Sequence, residues 1–126
     1  MKILGILSGG YRATLEEQDD TIVWISHMLR KAGAELDLML RGSAVNYVVE
    51  GQRVGPLAIG GRAQQHAPDV HGQVAGLAEA GARIFVCDSD LARYGLRDRP
   101  RLAAAHVVSD DALAGLVSGY DRVWHW

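Results

Sequence analysis

Arg83-Ile84-Phe85-Val86-Cys87-Asp88-Ser89-Asp90-Leu91-Ala92-Arg93-Tyr94-Gly95 is the stretch on which the fold turns. Its first five residues are a β-forming run with no polar alternation, which suits a strand buried on both faces. Asp88 or Ser89 is then expected to cap a short helix ending near Gly95. The same strand-to-helix step recurs on either side. Upstream, residues 2–7 (KILGIL) form an apolar run that stops at Ser8-Gly9-Gly10. Residues 14–32 come next, with apolar positions at Leu15, Ile22, Ile25, Leu29 and Ala32, a helical spacing. Thr14 and Glu17 make a capping box for this helix and Gly33 a stop. Trp24 and Met28 widen its stripe beyond what one sheet face needs, toward the core or a subunit contact. Residues 35–40 read as a second strand and 41–50 as a short helix or turn with Val45, Tyr47, Val48 and Val49 inward.

Between residues 51 and 68 no period holds, and six of the eighteen residues are Gly or Pro, a loop of a length usually functional or mobile. Asp69 is an N-cap for a helix through Val74, Leu77 and Ala78 to Gly81. Downstream of Gly95, residues 105–108 form a fourth strand. Ser109-Asp110-Asp111 caps a helix with Leu113, Leu116 and Val117, Gly119 stops it, and residues 121–126 close as a fifth strand. Strand and helix thus alternate about five times. The expected fold is α/β, a single doubly wound five-stranded parallel sheet with helices on both faces, of the flavodoxin-like kind. A length of 126 residues suits one domain spanning the chain.

Composition narrows the function. A net charge of -2 from 13 basic and 15 acidic residues, with no basic stripe, argues against a nucleic-acid partner. The apolar start is too short to span a membrane and lacks a cleavage pattern, so a cytoplasmic protein without a membrane partner is expected. One cysteine excludes an internal disulfide and a cysteine-based zinc cluster. His66 and His71 bracket Asp69 but lack a clear third ligand, so no metal is expected. His27, His106 and His125 show no partner for a Cys–His dyad. The first turn, residues 8–14, has neither a G-x-G-x-x-G pattern nor the lysine of a nucleotide loop, so no cofactor is expected. A phosphoacceptor domain would need an acidic pair after the first strand and an aspartate ending the third, where Ser8-Gly9 and Cys87 stand.

That leaves Cys87 as the candidate catalytic residue. It ends a strand on the edge where open parallel sheets hold ligands, directly before a helix whose first N–H groups favour a thiolate. With strand order 2-1-3-4-5 it would face the turn of Gly9, Gly10 and Tyr11. Backbone donors of that turn and of Asp88, Ser89 and Asp90 would then bind an anion on the sulfur. Against this, Asp88 and Asp90 are carboxylates beside a thiol, with Arg93 and Arg97 as possible counter-charges, and a free cysteine is commonly just buried.

Four stretches carry a family resemblance: Ile3-Leu4-Gly5-Ile6-Leu7-Ser8-Gly9-Gly10-Tyr11; Lys31-Ala32-Gly33-Ala34-Glu35-Leu36; Ile84-Phe85-Val86-Cys87 with Leu91-Ala92-Arg93-Tyr94-Gly95-Leu96; and Tyr120-Asp121-Arg122-Val123-Trp124-His125-Trp126. In this order, over nearly the whole chain, they resemble the DsrE/DsrF-like family, including the TusD-type subunits of sulfur relays. In TusD-like members the sulfur-carrying cysteine precedes an R-[RY]-G-[VL] element at the interval seen here. The resemblance implies a homo-oligomer (trimer or hexamer) and a sulfur-trafficking role as a possible sulfurtransferase. Sulfane sulfur would be held as a persulfide on Cys87, with donor and acceptor proteins as partners. The alternative is a non-catalytic oligomeric subunit that binds a small ligand or serves assembly.

Overall fold

The computed structural model describes residues 1–12 and 19–126. Five parallel strands form one sheet: β1 (Lys2–Leu7), β2 (Glu35–Leu40), β5 (Ile84–Cys87), β6 (Ala105–Val108) and β7 (Arg122–His125). Two further strands, β3 (Ala58–Ile59) and β4 (Arg62–Ala63), make a small separate hairpin inside the irregular 51–68 segment. Its tip is Gly60-Gly61, both at positive φ (57° and 76°), the conformation a tight hairpin turn requires. The helices are α1 (Thr21–Lys31), α2 (Val70–Glu79), α3 (Asp88–Arg93) and α4 (Asp110–Ser118), with a 3-10 helix at Gly42–Val48.

Helices cover both faces, as the alternation of strands and helices predicts. Alternate residues along each strand divide between the layers. Leu7, Leu38, Leu40, Ile84 and Val86 pack with Val23 of α1, Val74 and Leu77 of α2, Leu91 of α3 and the 3-10 helix residues Ala44, Val45, Tyr47 and Val48. Leu4, Met39, Phe85, Cys87 and Val108 face the other way, toward Leu113, Leu116 and Val117 of α4. Among the described helices α4 alone packs into this second layer.

Three expectations are corrected. The strand order is β6-β5-β2-β1-β7, so the third strand of the main sheet lies beside the second, not the first. The chain steps outward from β1 through β2 and β5 to β6, and only β7 returns to the other side of β1. Cys87 is therefore separated from the Gly9–Tyr11 turn by β2, two strand spacings or about 10 Å. Second, α1 starts at Thr21. Asp20 is its extended N-cap (φ -80°, ψ 117°), its Oδ1 accepting from the N–H groups of Ile22 and Val23, and this breaks a continuous helix over 14–32. The Thr14–Glu17 capping box lies outside the described residues. Third, the N-cap of α3 is Cys87 itself rather than Asp88 or Ser89.

Asp20 also accepts the hydroxyl of Tyr47 at 2.6 Å, and that hydroxyl accepts from the Tyr11 N–H at 2.6 Å. The fully buried phenol thus ties the first turn to the start of α1. Gly42 (φ 53°) lies so close to the Ser8 carbonyl that a Cβ would strike it, which holds the turns after β1 and β2 together. No helix among the described residues is long and apolar enough to cross a membrane.

Candidate functional site

Cys87 is completely buried at the carboxyl end of β5. Its Sγ lies 3.2 Å from Ser89 Oγ and 3.5 Å from Asp110 Oδ1, and Ser89 donates to the same Asp110 oxygen at 2.8 Å. A serine hydroxyl has one proton, and here it goes to Asp110. The thiol must therefore supply its own S–H to Ser89 or Asp110. The network is complete with a neutral thiol, and an ionised sulfur would face the Asp110 carboxylate across 3.5 Å. Hydrogen bonds from Ser89 and then Cys87, helped by the charges of Arg41 and Arg93, hold the Asp110 carboxyl below its ordinary value of 3.8. Asp110 is thus ionised at neutral pH.

The aspartates that flank Cys87 in sequence are occupied elsewhere. Asp88 is held by Arg97 in a two-point pair at 3.1 and 2.9 Å. Asp90, buried, accepts from the Gly42 N–H at 2.8 Å and lies 3.8 Å from Arg41 Nε. Its task is to clamp α3 to the turn after β2. The carboxylate that touches the sulfur is Asp110, 23 residues further on. Sequence reasoning reads Asp110 as part of a helix cap and has no signal for its approach to Cys87, which depends on β5 and β6 pairing as neighbours with Cys87 opposite Val108.

Ser89 is brought to Cys87, whereas Gly9, Gly10 and Tyr11 are not. The Gly10 N–H donates to Ser43 Oγ at 2.8 Å and the Tyr11 N–H to Tyr47, so both serve the packing of the first turn. Tyr11 has φ 60°, an uncommon conformation for a residue with a side chain. Asp88, Val107, Val108, Ser109, Ala112 and Leu116 line a shallow groove beside the buried sulfur. Asp110, in the first turn of α4, lies directly against the buried sulfur.

The histidines separate by role. His71 Nδ1 meets the Tyr47 carbonyl at 3.0 Å, a structural bond. The His106 ring lies against Phe85, and His27 and His66 line a groove between α1 and α2 together with Trp24 and Met28. Among the described residues no three His, Cys, Asp or Glu side chains are grouped to hold a metal ion.

The backbone resembles solved structures far apart in sequence. The ychN protein from E. coli superposes with a TM-score of 0.73 at 16% identity, over 100% of both chains. A conserved protein of unknown function from Bacteroides thetaiotaomicron gives 0.64 at 12% identity, over 99% of this chain and 95% of that one. At such identities the likeness speaks for the fold alone. No curated protein matches this chain by sequence. The model of the DsrE/DsrF-like family, however, matches residues 1–125, and with the Cys87-bearing parallel sheet described above, the chain belongs to the DsrE/DsrF-like family.

Proposed function

We propose that this protein is a sulfur carrier of the TusD type, which accepts sulfane sulfur as a persulfide on Cys87 and passes it to a partner. The observation that carries the reading is a single cysteine at the carboxyl end of a central strand in a chain of this family. In the loading step the Cys87 thiolate attacks the outer sulfur of a donor persulfide R–S–SH. A new S–S bond forms, the donor's S–S bond breaks, and R–S⁻ leaves, taking up the proton given off by the thiol. The product is Cys87–S–SH and R–SH. An acceptor thiol repeats the exchange in the other direction, so one cysteine suffices.

The resting geometry sets a condition on this chemistry. The sulfur is covered and hydrogen-bonded as a thiol, so α4 must move its first turn aside before a donor can reach it. That movement also carries the Asp110 carboxylate away from the sulfur. The N–H groups at the start of α3, in the Asp88–Asp90 turn, are then the nearest donors for the anionic persulfide. The complete burial of Cys87 equally favours a second reading, a non-catalytic subunit of an oligomer in which the cysteine only packs.

Intact-protein mass spectrometry after incubation with polysulfide separates the two. The carrier gains one or more sulfur atoms, the gain is reversed by reductant, and Cys87→Ser gains none. Wild-type protein without added sulfur, under conditions where Cys87 is reduced and alkylatable, would overturn the carrier reading.

A further inference from the structure

The same edge of the sheet carries a second reactive pair, on the far side of β2 from Cys87. Ser8 follows β1 and His125 ends β7, and these two strands are parallel neighbours with Ile6 opposite His125. Ser8 Oγ lies 2.7 Å from His125 Nε2. Both groups reach solvent, so neither needs the other to satisfy a buried polar atom. The pair sits where the strand order reverses, since β1 leads outward to β2 while β7 arrives on its opposite side. Open parallel sheets gather ligands at that point, beyond the carboxyl ends of the strands.

Two further features surround the pair. Ile25 and Leu29 of α1 with Val123, Trp124 and Trp126 line an apolar groove that also includes His125. Gly9, the residue after Ser8, has no side chain, and the Arg12 guanidinium packs over it: a Cβ there would meet Arg12 Nε at 3.2 Å. A backbone N–H directly after a nucleophilic serine, with a cation beside it, is the kind of donor set that stabilises a developing oxyanion.

We propose that Ser8 and His125 form a nucleophile–base dyad that hydrolyses an ester or thioester of an apolar carboxylic acid, whose acyl chain lies in the tryptophan-lined groove. Ser8 Oγ attacks the carbonyl carbon while His125 Nε2 takes the hydroxyl proton, the role of a base paired with a serine. The C–O or C–S bond to the leaving group breaks, and the leaving alcohol or thiol receives that proton from His125. Water then attacks the acyl-serine with His125 again as base, releasing the acid and restoring Ser8. This role needs the tautomer with its proton on Nδ1.

The test uses the full chain carrying Cys87→Ser, so that thiol chemistry contributes nothing and the sulfur-carrier reading is not involved. 4-Nitrophenyl butyrate is the substrate, and a fluorophosphonate probe followed by peptide mass spectrometry locates the nucleophile. Turnover above buffer is expected, with the probe on Ser8. Ser8→Ala should lose both, and His125→Gln should slow turnover at least about 10-fold, the lower range for loss of a general base. Turnover no faster than buffer, a probe adduct on another residue, or Ser8→Ala as active as its parent would each overturn the proposal. The adduct is read on a chain with Ser8 and His125 intact, so it does not depend on how the dyad variants fold.

Discussion

At the scale of single residues, the sulfur's behaviour depends on one carboxylate. Asp110 accepts from both Ser89 and the Cys87 thiol, and its lowered pKa extends its charge to more acidic pH than an ordinary carboxylate's. The charge is present above the ordinary carboxylate range and is lost only as pH falls through the lowered value, below 3.8. Any pH dependence of Cys87 alkylation between about pH 6 and 8 therefore reports on the sulfur, not on Asp110. Asp110→Asn keeps the shape and removes the charge. Iodoacetamide labelling of Cys87 at about pH 7 should then be faster by about 3–10-fold, because a neutral amide oxygen holds the start of α4 to Ser89 and Cys87 less firmly than a carboxylate does. An unchanged rate would mean that this tie does not limit access to the sulfur. Cys87 itself is legible in the sequence, because a lone cysteine ending an apolar run before a helix start is a local pattern. Asp110 is not, because its role is created by the pairing of β5 with β6.

At the scale of elements, the start of α1 shows how a helical period can run past a real boundary. The apolar spacing over residues 14–32 continues across Asp19 and Asp20, yet Asp20 leaves the helical region and caps the helix that begins at Thr21. Its carboxylate is nearly buried and is shared between two helix N–H groups and the Tyr47 hydroxyl. Periodicity sees only which side chains are apolar and is blind to a carboxylate held by two neighbouring N–H groups and by Tyr47, 27 residues further on. The cap at Asp69 and the stops at Gly33 and Gly81, both at positive φ, are readable, since each relies on one residue's own backbone or side-chain preference. Asp20→Ala removes the cap of α1 and leaves the Tyr47 hydroxyl without its acceptor. The expected loss is about 2 kcal/mol in urea unfolding. Asp20→Asn retains a capping oxygen and should lose about half of that. Equal losses would show that the charge toward Tyr47, and not the cap, dominates.

At the scale of the whole molecule, the alternation of strands and helices announces a parallel sheet but not its order. β1, β2 and β5 are each apolar enough to be central, and the choice between orders lies in how helices pack after crossing. The observed order gives the sheet two unequal coats. One face holds α1, α2 and the 3-10 helix, with Val23, Val74, Leu77 and Tyr47 all buried. The other holds α4, none of whose residues is buried. A fully buried Val or Leu is worth about 2 kcal/mol, so α4 is the more weakly anchored coat and the part most ready to open. Two polar ties hold its ends. Asp110 is at the start, beside Cys87. Tyr120, just past the end, donates to Asp37 at 2.6 Å and accepts from Arg83 at 3.0 Å, under the Arg83–Asp37 ion pair. Burial and then the Asp37 hydrogen bond raise the Tyr120 pKa above its ordinary 10.0. Its contribution is therefore full below about pH 10 and is lost as pH rises toward the raised folded value, because the unfolded tyrosine ionises first. Tyr120→Phe should lower stability by about 1 kcal/mol at about pH 8, and should shrink the fall in melting temperature between about pH 8 and about pH 11. If Cys87 is reached by α4 lifting off, the same variant should also speed Cys87 alkylation, although Tyr120 lies at the opposite end of the helix from the sulfur. Amide exchange should be faster in α4 than in α2, and faster still in the variant. A variant that loses stability while Cys87 labelling and α4 exchange stay unchanged would mean that the sulfur is exposed by some other motion, and the relay would have to be loaded by a route that leaves α4 in place.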